Sequence, residues 1–134
     1  MFAAMLLTVS IVALIQFAIY YWRAVVAGVA AQPISESARA AAGLDGRALR
    51  AGDFSTFADL HEITPTLQER IKGFGLVSAY FHLMNVVGQL SRPLVPALAA
   101  WSETERATCS RYAAVLLDRR MKSNFACSAA LRSC

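Results

Sequence analysis

The chain has 134 residues, 57% of them hydrophobic, with three cysteines and a formal net charge of +4, a length that supports one small core beside an apolar anchor. Cys109, Cys127 and Cys134 are odd in number and form no C-x-x-C spacing, which excludes a disulfide framework and the common zinc modules. The basic residues are not interleaved with stacking aromatics, which argues against nucleic acid as a partner.

Phe2 to Trp22 carries no formal charge over twenty-one residues and one strongly polar side chain, Gln16. At about 1.5 Å of rise per residue such a run crosses a hydrocarbon core of roughly 30 Å. Tyr20, Tyr21, Trp22 and Arg23 then form the aromatic and basic collar expected where a helix leaves a bilayer. A cleaved signal peptide is the competing reading, with small residues for a cut after Ala31, but the run is too long and no base precedes it. The expectation is a single-pass anchor over residues 1–31, its last two turns projecting as a short stalk. Arg23 and Arg39 on the C-terminal side favour a cytoplasmic body, in which the thiols stay free. Ala24 with Gly28, and Ala27 with Ala31, share a face that would admit a second helix, and Gln16 offers a hydrogen bond within the span.

Residues 32–134 read as one small all-α domain. Ser35 caps a short helix of about residues 35–43 that Gly43 ends, and a second short helix covers about 54–62, with Phe54, Phe57 and Leu60 facing the core. Thr64 and Pro65 predict the start of a long helix over about 65–91. It contains a narrow polar strip, Ser78, His82, Asn85, Gln89 and Arg92, in an otherwise apolar surface. That pattern suits a central bundle helix or one lying at a membrane interface better than a second span. Pro93 and Pro96 mark a link, and Ser102 with Glu105 reads as a capping box opening a last helix over about 102–131. The two long helices form an antiparallel hairpin on which the short ones pack.

No stretch spells out a catalytic, nucleotide-binding or metal-binding pattern. His61-Glu62 is not followed by a second histidine at zinc spacing. His82 is the weak cofactor candidate, able in principle to ligate a haem or chlorin metal. The three cysteines fall on one stripe of the last helix, too far apart along it to bridge, and read as core-facing thiols. Arg120 on that stripe is expected to reach a carboxylate or a lipid phosphate, within the basic cluster Arg119, Arg120 and Lys122. These features favour a non-enzymatic, membrane-anchored accessory or scaffold subunit. It would need no cofactor, and would contact lipid and another membrane protein or a second copy through Gln16, Trp22, Arg23, Ala24, Gly28 or the basic cluster. The alternatives are a tethered redox or cofactor protein using a cysteine or His82, and a secreted helical protein.

Overall fold

The computed structural model describes residues 1–44, 46–64 and 73–133. Among these residues the chain is all-helical: α1 (Phe2–Ala30), α2 (Glu36–Ala41), a 3-10 turn (Ala51–Asp53), α3 (Phe54–Ile63), α4 (Phe74–Ser91) and α5 (Pro96–Arg132). α1 is the one helix among them long and apolar enough to cross a membrane.

Local chemistry accounts for most of the boundaries. Ser35 caps α2 by accepting the Ala38 N–H at 3.4 Å. Gly43, at φ +65°, then reverses the chain. This lets the Gly43 and Leu44 N–H groups return to the carbonyls of Ala40 and Arg39, both at 2.9 Å, and drops Leu44 into the core. Asp53 organises the next turn, accepting the Arg50 N–H at 2.8 Å and the Arg47 guanidinium at 2.7 Å.

Two expected helix starts are displaced. α4 begins at Phe74 rather than at residue 65, because Gly73 has φ +116°, a left-handed conformation that no α-helix continues through. Pro65 lies outside the described residues. Thr64 closes α3 instead, its N–H and its hydroxyl both donating to the Leu60 carbonyl, at 3.0 and 2.6 Å. α5 begins at Pro96 rather than at Ser102: Val95 is extended and Pro96 takes the first helical position, where its missing N–H costs nothing. Ser102 is therefore in the second turn, buried, with its hydroxyl donating to the Ala99 carbonyl at 2.7 Å.

α5, not α4, is the middle of the bundle. From Cys109 to Asp118 every residue but Arg111 is buried, and α1, α2, the 3-10 turn, α3 and α4 all pack on this stretch or its flanks. Ala113 and Ala114, fully buried, let the surrounding elements approach closely. α4 contributes Val77, Phe81 and Met84 to the core and leaves Leu76, Leu83, Val86 and Leu90 exposed. The Phe54 ring stacks on Phe81 at 4.1 Å between centroids, joining α3 to α4. The end of α1 is not a free stalk: Val26 and Ala30 are core residues, with Trp22 and Val29 packed beside them.

The pairings set the directions. α5 runs antiparallel to α4, with Gly73 near Tyr112, Tyr80 bonded to Glu105 and Gly88 against Ser102. It runs parallel to α1, with Arg23 bonded to Glu105 and Gln32 to Arg119.

Gly88 is the tightest of these contacts, since a Cβ there would stand 2.5 Å from the Ser102 hydroxyl but 3.5 Å from its Cβ. Gly88→Ala alone is expected to destabilise the hairpin, the overpacking cost of about 1–3 kcal/mol exceeding the roughly 1 kcal/mol that alanine gains over glycine inside a helix. In a Ser102→Ala background the obstruction is gone, and the same substitution should stabilise. Thermal melts of the four variants would show this change of sign.

Candidate functional site

A buried polar cluster lies where α1, α4 and α5 meet. Glu105 is buried on α5 and is held from two sides. The Arg23 guanidinium of α1 donates to its Oε1, and the Tyr80 hydroxyl of α4 donates to its Oε2 at 2.9 Å. Arg23 also lies over the Trp101 ring, 5.4 Å from its centroid, a cation–π contact that holds the guanidinium from a second direction. A cleft of roughly 80 Å³ opens beside this group, lined by Trp22, Val26, Ala27, Thr108 and Cys109 as well as the three bonded residues. Burial, then the bond to Glu105, pushes the Tyr80 hydroxyl well above the ordinary tyrosine range. The same burial, with Glu105 nearby, pushes the Cys109 thiol up to about 12. A thiol held neutral in this way is not a nucleophile at ordinary pH. The cluster is a three-helix clasp in which Arg23, Tyr80 and Glu105 bond to one another while the buried Arg23 Nε has no partner among the described residues.

A second clasp ties the segment after α1 to the far half of α5. Asp118, buried, accepts from the Ser35 hydroxyl and from Lys122 Nζ at 2.7 Å. Arg119 Nη2 donates to the Gln32 side-chain carbonyl at 2.6 Å. Burial opposes ionisation of Asp118, but the Lys122 and Ser35 bonds outweigh it and hold its carboxyl below the ordinary value. Burial likewise opposes ionisation of Asp53, and the bonds from Arg50 N–H and Arg47 reverse it. For a carboxyl depressed in the folded state, the stability it contributes is complete above the unfolded value of 3.8 and is lost as pH falls through the lower folded values. Unfolding followed from pH 7 to pH 2 should therefore steepen below pH 4, and Asp118→Asn should flatten part of that limb.

Arg120 departs from expectation. Its Nη1 donates to the His61 carbonyl at 2.5 Å, closing the C-terminal end of α3, where orphan carbonyls need donors, and it meets no carboxylate among the described residues. Burial, then the Arg120 charge, holds the His61 imidazole below its ordinary range, and its ring stacks on Phe74 with centroids 4.3 Å apart. His82 is exposed on α4, edge-on to Phe81, and the described residues form no cluster of metal-ligating side chains.

The cysteine stripe divides. Cys109 is fully buried, Cys127 is half-buried on the part of α5 beyond the core, and both are free thiols on one unbroken helix. Cys134 lies outside the described residues. Of the residues singled out for contact with lipid or a partner, Trp22 and Arg23 belong to the first clasp, and Arg119 and Lys122 to the second. Gln16, Ala24 and Gly28 are exposed, and a Cβ at Gly28 would meet open space.

Glu105 is the residue that sequence reasoning misplaced. Its spacing from Ser102 matches a capping box, yet it serves a cation eighty-two positions away. The available signal was Arg23 itself, the single charge before Glu36, which needs a partner if the helix bearing it packs on the body. No family model matches the chain, and neither a curated protein nor a solved structure matches it.

Proposed function

We propose that this chain is a membrane-anchored accessory or scaffold subunit, with no reaction of its own, that holds a docking surface at a fixed height above the bilayer. The observation that carries this reading is the junction: Val26 and Ala30, near the end of the anchor, are core residues of the body, and Arg23 is clasped by Glu105. A loose stalk would let the body tumble. A welded one fixes its orientation, which suits assembly with neighbours in the same membrane.

The direction of α5 then decides which surface faces outward. Because α5 runs parallel to α1, Arg119 to Lys122 stand about 21–25 Å beyond the level of the Arg23–Glu105 pair, away from the apolar end of α1. The basic cluster is thus out of reach of the headgroups around the anchor. From Arg119 to Ser133 α5 carries four bases and no acid, with Phe125 and Leu131 exposed, a surface matched to an acidic partner rather than to a second basic copy. With Arg23 and Arg39 following the span, this end belongs in the cytoplasm.

The alternatives have less support. A cut after Ala31 would take Val26 and Ala30 from the core, and a redox role for Cys109 meets a buried, neutral thiol. Extraction of the full chain from its native membrane into mild detergent, followed by mass determination by light scattering, tests the proposal. A complex is expected that Phe125→Asp with Arg132→Glu, both exposed, dissociates; recovery as a lone monomer contradicts the proposal.

A further inference from the structure

The α4–α5 hairpin points its tip in the same direction as the apolar length of α1. Glu105 and Tyr80 lie at the level of Arg23, and from there α4 toward its C-terminus, and α5 back toward its N-terminus, extend to the same side as the part of α1 that precedes the collar. Leu94, in the turn, is eleven residues from Glu105, about 16 Å farther along the hairpin. The interfacial layer on each side of a bilayer is only roughly 5–8 Å deep. A body clasped to α1 at its collar therefore carries this tip past the headgroups.

The surface of the tip fits that position. Leu90 and Leu94 are 68% and 80% exposed, and Val86, Val95, Leu98 and Trp101 are exposed with them. From Gly73 to Ser102 the sequence has one formal charge, Arg92, and the next charges on α5 are the Glu103–Arg106 ion pair just below the clasp. Glu105, which would otherwise oppose entry into a low-dielectric layer, is paired with the Arg23 charge and accepts a hydrogen bond from Tyr80. Arg92 sets the limit of depth: a guanidinium in the turn must reach back to phosphate, which a shallow tip permits and a full span does not.

We propose that the α4–α5 tip is a second membrane contact, seated in the upper acyl region of the leaflet that α1 leaves. This rests on α1 spanning that bilayer. Together the two contacts hold the body against tilting, which the α1 clasp alone would have to resist.

The test uses the full chain with Cys127→Ser and Cys134→Ser, Cys109 being buried, reconstituted in phosphatidylcholine vesicles with bromine at defined acyl positions. An environment-sensitive fluorophore is placed singly at Leu94→Cys, at Ile11→Cys in the middle of α1, or at Ser123→Cys on the outward end of α5. The Ile11 label should lose most intensity to deep bromines, the Leu94 label to shallow ones, and the Ser123 label to neither. Quenching at Ile11 with none at Leu94 leaves the anchor standing and overturns the tip contact, as does cross-linking of unquenched Leu94 sites between two copies. Maximal quenching of Leu94 by the deepest bromines overturns the shallow seat. No quenching at Ile11 removes the spanning reading and the tip contact with it.

Discussion

A chain beginning at Gln32 is expected not to fold. Removing residues 1–31 takes Val26 and Ala30 out of the core, strips Trp22 and Val29 from its edge, and leaves Glu105 with only the Tyr80 hydroxyl. A fully buried valine is worth about 1.5–3 kcal/mol, and losing Arg23 from this partly exposed pair costs about 2 kcal/mol. With partial losses at Trp22 and Val29, the total is comparable with the roughly 5–15 kcal/mol that holds a typical domain together. The shortened chain should show helical signal without a cooperative melt, in detergent or out of it. A sharp thermal transition would mean that the end of α1 is dispensable and that a released, secreted form is physically reasonable.

The second large effect is expected at the clasp itself. Arg23→Met keeps an apolar contact with Trp101 but leaves the Glu105 carboxylate facing a low-dielectric junction. Because the Arg23 side chain is 40% exposed, the loss should fall below that of a fully enclosed pair, at about 2 kcal/mol. Glu105→Gln, which still accepts from Tyr80 and still reaches Arg23, should cost less. Combining the two should cost clearly less than their sum, because the charge that Arg23→Met strands is no longer there. Chemical unfolding of the four proteins in one detergent would measure the coupling, and strict additivity would show that the two groups do not depend on each other.

The elements governed by nearby residues were legible from the sequence. The Ser35 cap, the Gly43 reversal, the apolar length of α1 and the span of α3 each follow from residues within one or two turns of the feature. The misreadings come from longer range. Ser102 and Glu105 imitate a capping box because the motif is defined by spacing alone, while what Glu105 binds depends on α1 packing parallel to α5. Pro96, expected only to mark a link, takes the first helical position. Likewise α4 has enough apolar residues to be read as central, but centrality is decided by which helix its neighbours share, and the small pair Ala113 and Ala114 gives that place to α5. The run from Ala24 to Ala31 reads as a stalk because every residue in it is uncharged; only the position of α5 reveals that Val26 and Ala30 are covered.

The central claim is that α1 stays in the bilayer as one piece with the body. The most direct measurement is alkaline washing of native membranes, followed by mass spectrometry of the pelleted protein. The account predicts that the chain remains in the pellet, still carries Phe2 to Ala31, and leaves it only with detergent. A chain found in the supernatant, or one whose first residue is Gln32, would contradict it.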